Sequence, residues 1–298
     1  MAVEHIRHWK IGDVEVARIV EVNNHTDPME ILLPGVTPQE VLRHRWLRPH
    51  FVTPEGTMMI SFQCFVLRSQ GQHVMIDTCI GADRQREFAI FCNLKTTFLE
   101  DLAAAGFPPE KVDTVLCTHL HFDHVGWNTR LVKGRWVPTF PTARYLFSRG
   151  EWDHWQHLRR TGGYHDLEHL RDSIDPILEA GLAEFVEPTH RITGEVWLEP
   201  TPGHTPGHVS VHIASRGQEA LITGDMMHHP IQCAMPETQA NFDMDKAQGA
   251  RTRRQFMERY QDRKALIIGS HFCDPTSGWI VREGSTWRLA LDPEERHG

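Results

Sequence analysis

The chain has 298 residues, with 31 Lys and Arg against 39 Asp and Glu, so its formal net charge is −8 with neutral histidines. This acidic balance argues against a nucleic-acid binder, because phosphate backbones are held mainly by clustered Lys and Arg. No apolar run approaches the roughly 20 residues of a membrane-spanning helix, and the charged N-terminus is unlike a signal peptide, so we expect no membrane association and a cytoplasmic location.

Hydrophobic periodicity predicts mainly strands in the first third of the chain. A strand is expected at 14–22, a short helix at 38–47, and a hairpin of strands at 59–67 and 73–76. The first strand–helix alternation follows, with a helix at 93–105 and a buried strand at 112–117. The later predicted elements are strands at 135–140 and 144–147, helices at 148–158 and 165–180, strands at 196–199, 209–213, 220–223, 265–268 and 279–282, and a long helix at 243–260.

Two groups of strands, each with covering helices, predict a layered α/β fold in which two sheets are covered by helices on both outer sides. Because no linker separates independent parts, residues 1–298 are expected to form one domain. Residues 1–58 are expected to form an N-terminal strand and helix extension that covers the site. The apolar segment 34–59 is expected to form a wall of the pocket, with a cover packed on the sheet or a dimer contact as the alternatives. Arg251, Arg253 and Arg254 form the richest basic cluster and are predicted to lie on a solvated helix face.

The strongest candidate for a functional site is the run 118–124, Thr-His-Leu-His-Phe-Asp-His. Four residues of types that bind metals occur within six positions of it. In an extended segment, side chains at i and i+2 point the same way, so His119 and His121 can bind one metal ion. Asp123 and His124, where the chain turns, can face a second ion. This spacing predicts two adjacent metal sites.

Three later residues follow or precede strands at loops, where α/β proteins usually place their sites. They are His204 in a Pro- and Gly-rich loop, Asp225 after Gly224, and His271. We expect His119, His121 and His204 on the first ion and Asp123, His124 and His271 on the second, with Asp225 bridging them. Nitrogen and oxygen ligands favour Zn²⁺, with Mn²⁺, Fe²⁺ and Co²⁺ as alternatives.

The ordered set of the HxHxDH run, the downstream His, the Gly-Asp pair and the final His resembles the metallo-β-lactamase superfamily over about residues 62–282. The resemblance implies a four-layer αββα sandwich with a dinuclear metal site at one edge of the sheets. It also implies that Asp77, at a strand end, steadies the ligand loop.

Within the superfamily the chain most resembles the group of acyl-homoserine lactonases, 4-pyridoxolactonase and methyl parathion hydrolase. Several of these lactonases place a Tyr three residues after the bridging Asp, where this chain has His228. His228 is expected to hydrogen-bond the substrate carbonyl or to protonate the leaving oxygen, with a loop histidine of no catalytic role as the alternative. Asp123, Asp225 and His228 are therefore the candidate catalytic residues.

A hydroxide shared by two divalent ions is expected to act as nucleophile, because metal binding lowers the pKa of water toward about 7. The sequence therefore predicts a dinuclear metal-dependent hydrolase that cleaves a small, neutral, apolar lactone or carboxylic ester. The alternatives are an organophosphate triester hydrolase or a hydrolytic dehalogenase, and an iron-dependent thiol dioxygenase. Trp127, Met226 and Met227 are further pocket candidates, His208 a neighbour of the His204 loop, and a homodimer the default assembly.

Overall fold

Alternating residues along the strands face opposite sides of two sheets, and this alternation builds the layers of the fold. The computed structural model describes residues 6–26, 29–164, 167–261, 263–292 and 294. Its strands are β1 (Ile6–Ile11), β2 (Val14–His25), β3 (Ile60–Ser69), β4 (Gln72–Ile76), β5 (Thr114–Cys117), β6 (Thr129–Val132), β7 (Arg135–Pro138), β8 (Arg144–Ser148), β9 (Ala183–Val186), β10 (Val196–Pro200), β11 (Val209–Ser215), β12 (Gln218–Ile222), β13 (Leu266–Ile268), β14 (Ser277–Glu283) and β15 (Thr286–Ala290).

The helices are short apart from two that cover the sheets. They are α1 (Met29–Leu32), α2 (Pro38–Arg43), α3 (Phe98–Ala104), α4 (Phe122–Val125), α5 (Arg149–Thr161), α6 (Glu168–Ser173), α7 (Asp175–Glu179), α8 (Ile231–Ala234) and α9 (Lys246–Tyr260). The first sheet has the strand order β1-β2-β3-β4-β5-β8-β9, and the second has the order β10-β11-β12-β13-β14-β15. Strands β6 and β7 form a separate hairpin.

Three apolar clusters separate the layers and confirm the predicted αββα sandwich. Phe65 and Leu67 of β3 pack with Val211 and Ile213 of β11 between the two sheets. The outer face of the first sheet packs on α3, α5, α6 and α7. The outer face of the second sheet packs on α8, α9 and the segment that includes Phe51.

Several predicted elements differ from the observed ones for local reasons. The helix expected at 93–105 begins only at Phe98, because Asn93 adopts a positive φ of 51° and Leu94 forms a bridge with Ala82. The helix expected at 165–180 is two helices, with Pro176 near the start of the second. Residues 165 and 166 lie outside the described part of the chain.

The long C-terminal helix begins at Lys246 and not at 243, with Asp245 as its N-cap accepting from the Gln248 amide. Its Arg253 is 0% exposed, so the prediction that this arginine lies on a solvated helix face was wrong. Arg251, on the same helix, is exposed as expected. Strands β1, β6, β9 and β15 were not predicted.

Parallel pairing brings the candidate site to one edge of the sandwich. Strands β4, β5, β8 and β9 pair in parallel, as do β12 and β13. The segments that follow β4, β5, β12 and β13 carry Asp77, His119, Asp225 and His271, respectively. Ligand sites in α/β sheets commonly lie outside these carboxyl ends.

Candidate metal centre

The first group of candidate ligands is His119, His121 and His204, all of them buried. His121 directs its Nδ1 at the group, 3.1 Å from Nε2 of His119 and 2.8 Å from Nε2 of His204. His121 is still extended, with φ −66° and ψ 157°, before the chain turns into α4. The two histidines of the run therefore meet in one group, but the chain bends at residues 118, 119 and 121 and is not one continuous extended segment.

The second group is Asp123, His124, Asp225 and His271. Nε2 of His124 and Nε2 of His271 lie 3.3 Å apart, and Oδ1 of Asp225 lies 3.2 Å and 3.1 Å from them. Oδ2 of Asp123 lies 3.5 Å from Nε2 of His271. The single turn of α4 places Asp123 and His124 in this second group, with the His124 ring packed against His119 at 4.1 Å between ring centres.

Asp225 lies between the two groups, as expected of a bridging carboxylate. Its Oδ1 contacts the second group, while its Oδ2 lies 3.5 Å from Nε2 of His204 and 3.8 Å from Nε2 of His119. Gly224, directly before it, has a φ of 54°, and a Cβ there would meet the His208 ring at 2.5 Å. A glycine is required at this turn for Asp225 to lie between the groups.

Outer hydrogen bonds fix which ring nitrogen faces the centre. Nδ1 of His124 donates to Asp77 at 2.9 Å, and Nδ1 of His271 donates to the Ser61 carbonyl at 2.9 Å. Asp77 also accepts from the Thr118 amide at 2.7 Å, so this carboxylate holds the ligand loop as the resemblance implies. With Nδ1 as the donor, the inward Nε2 of His124 and His271 can offer a lone pair.

His204 is oriented by Asp243, a residue that sequence reasoning did not identify. Nδ1 of His204 donates to Oδ1 of Asp243 at 3.1 Å, and the other oxygen of Asp243 lies 3.5 Å from the Arg253 guanidinium. The sequence carried one usable signal, since Asp243 is an acidic residue at the first position of the helix predicted at 243–260, where capping residues are common. Asp245 takes the capping role, which leaves Asp243 to hold His204.

His208 links the two ligand loops, as its position beside the His204 loop suggested. Its Nε2 accepts from the Asp225 amide at 2.8 Å, and its Nδ1 lies 2.8 Å from the Thr201 hydroxyl. Burial and the neighbouring His204 lower the pKa of His208 to about 3. His208 therefore stays neutral and can accept this hydrogen bond at ordinary pH.

The charges of the centre favour a bound cation. Burial raises the pKa of Asp225, but His124 and His271 outweigh burial and hold it well below its ordinary value. Burial lowers the pKa of His124 and of His271, but facing carboxylates, Asp225 foremost, outweigh it and raise both. Burial, together with neighbouring histidines, lowers the pKa of His119 and His121 well below normal.

These residues fit two divalent metal ions. The inward Nε2 atoms of His124 and His271 face each other at 3.3 Å, a contact that repels when both carry lone pairs and that a proton or a metal ion relieves. Oδ1 of Asp225 is buried and has no hydrogen-bond partner among the described residues. Neutral imidazoles and ionised carboxylates are the ligands that divalent transition metals use.

A cavity of about 230 Å³ opens onto this centre. Its lining includes His121, Asp123, His204, Asp225, His228 and His271. Apolar groups form the rest of its wall, and they are mainly Ile31, Leu32, Ile60, Phe62, Phe88, Ile90, Phe91, Phe122 and Phe242, with Glu87, Tyr164 and His169 as polar members. Small-molecule sites typically combine such an apolar wall with a few polar groups.

His228 lies at the floor of this cavity. It is 3% exposed, and its Nε2 lies 3.3 Å from Oδ2 of Asp225. Its Nδ1 is buried without a hydrogen-bond partner among the described residues. His228 thus lies beside the groups that face a substrate, where the sequence places it.

The other pocket candidates are divided between wall and core. Trp127 packs on Phe98 with ring centres 5.3 Å apart and donates to Glu21 at 2.6 Å, and it does not line the cavity. Met226 and Met227 are buried in the core of the second sheet's outer layer. Of the segment before residue 59, Ile31 and Leu32 line the cavity. Its other large apolar groups, Val36, Val41, Leu47, Phe51, Val52 and Met58, are buried in that same core.

The profile of the metallo-beta-lactamase superfamily matches residues 63–278. The chain belongs to this superfamily. An N-acyl homoserine lactonase from a Bacillus species is 24% identical over 246 residues, which cover 77% of this chain and 88% of the relative. A protein of Mycobacterium tuberculosis named "Probable metallo-hydrolase" is 25% identical over 264 residues, which cover 76% of this chain and 81% of that protein.

Solved structures share the fold over nearly the whole chain. The hydrolase AbOPH has a TM-score of 0.78 at 23% identity, covering 98% of this chain and 99% of its own. AidC, a dizinc quorum-quenching lactonase, has a TM-score of 0.77 at 20% identity, covering 96% and 97%. The superfamily, its sandwich fold and the expected enzyme class, a metal-dependent hydrolase, are confirmed. Within the described residues no helix is long and apolar enough to cross a membrane.

Proposed function

We propose that this metallo-beta-lactamase-superfamily hydrolase opens a small neutral lactone, or cleaves a related carboxylic ester, at a dinuclear zinc centre. The observation that carries the proposal is the placement of seven candidate ligands in two adjoining groups. Five of them, His121, Asp123, His204, Asp225 and His271, line an apolar cavity. Several relatives of this chain are N-acyl homoserine lactonases, which supports the same reaction class.

In this proposal His119, His121 and His204 hold the first ion, Asp123, His124 and His271 hold the second, and Asp225 bridges them. Such ions, when bound, lower the pKa of a coordinated water toward about 7 and so supply a hydroxide nucleophile at neutral pH. The hydrogen bonds from Nδ1 of His124, His204 and His271, made before any substrate arrives, keep the inward Nε2 atoms of these three rings in place.

His228 supplies the remaining polar contact to the substrate. Burial lowers the pKa of His228, although the nearby Asp225 opposes this shift. The imidazole is therefore neutral near pH 7, with one nitrogen carrying a proton. That N–H can donate to the substrate carbonyl or stabilise the departing oxygen, which is the role assigned to this position from the sequence.

The cavity wall selects for uncharged, apolar substrates. Phe88, Phe91, Phe122 and Phe242 line it and exclude water from the reacting bond. Glu87, an exposed carboxylate at the wall, disfavours an anionic group there. A γ-lactone with an apolar substituent meets both conditions.

Activity of the zinc-loaded protein on a matched set of substrates tests this proposal. Proton release is measured on a γ-lactone, an aryl ester and an aryl phosphotriester, and metal content is measured on the same preparation. We expect two zinc ions per chain and the fastest turnover on the lactone. Faster phosphotriester turnover would assign the protein to organophosphate hydrolysis, and a single iron with oxygen uptake would assign it to thiol oxidation.

Asp225→Asn is the matched variant, because it keeps the shape of the bridging side chain and removes its charge. We expect loss of second-site metal and a fall in kcat/KM of roughly a hundredfold or more, since charged groups at a dinuclear site act on bound metal and transition state together. Asp153→Asn, at an exposed position of α5, is the control and should match wild type. Two retained zinc ions with normal turnover in Asp225→Asn would refute the bridging assignment.

A further inference from the structure

Glu151 is a buried carboxylate that the proposed reaction does not use. It lies in the first turn of α5, directly behind the metal centre, and is 1% exposed. No Lys or Arg pairs with it among the ion pairs of the described residues. A buried carboxylate is costly unless hydrogen bonds compensate it, so its partners explain why it is retained.

The partners of Glu151 come from both loops that carry the first group of ligands. Oε1 accepts from the Leu120 amide at 3.1 Å, and Leu120 lies between His119 and His121. Oε2 accepts from the Gly207 amide at 3.2 Å, three residues after His204. One carboxylate therefore spans the two loops whose histidines must meet.

The same helix also contacts the ligand rings. The indole Nε1 of Trp155 donates to Oε1 of Glu151 at 2.7 Å. The Trp155 ring in turn packs edge-on against His121, with ring centres 5.6 Å apart at 82°. Trp155 is 0% exposed, so its position is set by the surrounding core.

The His204 loop approaches α5 so closely at Gly207 that a side chain at this position would clash with the helix. A Cβ on Gly207 would meet the Glu151 backbone nitrogen at 2.0 Å, so only glycine allows this contact. The two loops are also joined where the Val209 amide donates to the Thr118 carbonyl at 3.0 Å and where His121 contacts His204. The fold at this edge therefore does not depend on Glu151 alone.

We propose that Glu151 is a positioning residue that joins the two ligand loops and sets the spacing of His119, His121 and His204 for metal binding. This inference rests on the proposed metal centre and adds a residue outside its ligand set. The carboxylate acts through the length of its side chain and its two acceptor oxygens. It belongs to neither group of candidate ligands and does not line the cavity. Its loss should weaken the first metal site more than the second.

The test measures zinc affinity of each site in the full chain, by chelator competition and mass-spectrometric stoichiometry. Glu151→Gln keeps the length but turns an amide NH₂ toward one of the loop N–H groups. We expect first-site affinity to fall roughly 10- to 100-fold, the usual effect of changing an outer-shell partner. Zinc anomalous scattering from crystals of the variant should locate the retained ion at Asp123, His124 and His271.

Two further variants separate the effect of side-chain length at Glu151 from the effect of its charge. Glu151→Asp keeps the charge but is one methylene shorter, so it cannot span both loops and should weaken the first site as Glu151→Gln does. Trp155→Phe removes one N–H donor, keeps the ring against His121 and leaves both loop contacts, so its affinity should stay within about threefold of wild type. Asp153→Asn controls for charge on the same helix.

Three results would overturn the positioning role. They are unchanged affinities at both sites in Glu151→Gln, equal weakening of both sites, and wild-type affinity in Glu151→Asp, which would indicate a charge effect. If Glu151→Gln does not fold, by circular dichroism, Glu151→Asp carries the same test. Failure of the wild-type chain to bind zinc would contradict the proposed metal centre itself and is recognised before any variant is compared.

Discussion

His228 lies three residues after Asp225, where the resemblance to several lactonases implies a Tyr. It is buried beside Asp225, and its Nδ1 has no hydrogen-bond partner among the described residues. A tyrosine hydroxyl and an imidazole N–H both donate hydrogen bonds, but the shorter imidazole reaches less far. The polar contact at the cavity floor can therefore be kept while the fitting substrate changes.

Replacing His228 tests whether it contacts the substrate in the transition state. We expect His228→Phe, which keeps a flat ring of similar size, to lower kcat by roughly 10- to 1,000-fold with metal content unchanged, as for loss of one oxyanion donor. His228→Gln retains an N–H donor and should recover part of that loss. Steady-state kinetics with metal analysis measure both effects, and an unaltered kcat in His228→Phe would leave this histidine without a catalytic role.

Helix α9 supports the centre through one buried arginine. The Arg253 guanidinium donates to the Pro236, Thr238 and Met226 carbonyls at 2.9, 2.7 and 3.1 Å. It also lies 3.5 Å from Asp243, which holds His204. Burial lowers the pKa of Arg253, although Asp243 opposes this shift. The helix thus fixes both the loop after Asp225 and the partner of His204.

Removing this arginine should destabilise the protein strongly. Arg253→Met leaves the Asp243 carboxylate buried without its cation and frees three carbonyls, so we expect a loss of about 3–5 kcal/mol in the free energy of unfolding. Arg251→Met, two residues earlier on the exposed face, is the control and should change it by less than about 0.5 kcal/mol. Urea denaturation of both variants measures the difference. Equal, small effects would show that the buried contacts of Arg253 contribute little.

At the scale of the whole molecule, a buried ion-pair network joins the segment after β4 to α6. Asp172 lies 2.7 Å from Nη1 of Arg84 and 2.7 Å from Nη1 of Arg86. Burial raises the pKa of Asp172, but the two arginines and the Ser173 hydroxyl outweigh burial and lower it overall. Burial lowers the pKa of Arg84 to about 10, so this arginine remains charged at neutral pH.

This network predicts a pH dependence of stability. Because the folded-state pKa of Asp172 is lowered, its stabilisation is present above the unfolded value of about 3.9 and is lost as the pH falls through the folded value. We expect Asp172→Asn to be less stable than wild type at pH 7, with the gap closing as the pH drops below about 4. Urea denaturation from neutral to acidic pH measures the difference in free energy of unfolding between the variant and wild type. A chelator is present throughout so that metal release does not contribute.

Asp175→Asn serves as the comparison for Asp172→Asn. Asp175, on the neighbouring α7, pairs with Arg159 at 3.0 Å, but both side chains are about a third exposed. Loss of this ion pair in Asp175→Asn should therefore lower the free energy of unfolding by less than about 1 kcal/mol. If the difference in free energy of unfolding between Asp172→Asn and wild type stays constant with pH, the effect does not arise from the ion pair.

The sequence predicted the seven candidate ligands because metal sites require rare residue types at fixed spacings, and such patterns are local. His119, His121 and Asp123 lie in one short run, and Asp225 follows a glycine at a strand end. The layered fold was predictable for a related reason, since each central strand alternates between two apolar faces. Strands β1 and β15 gave weaker hydrophobic patterns and were not predicted. One face of β1 is mostly exposed. The extent of the domain and the covering role of residues 1–58 stay predictions.

Only the tertiary structure decided what surrounds those ligands. Glu151 and Arg253 lie far along the chain from most of the groups they contact, and nothing in their local sequence distinguishes them from solvated charges on helix faces. Their burial follows from how α5 and α9 dock on the sheets, which depends on long-range packing. The identity of the candidate ligands is a property of the sequence, whereas the spacing that brings them into two adjoining groups is set by contacts between distant segments.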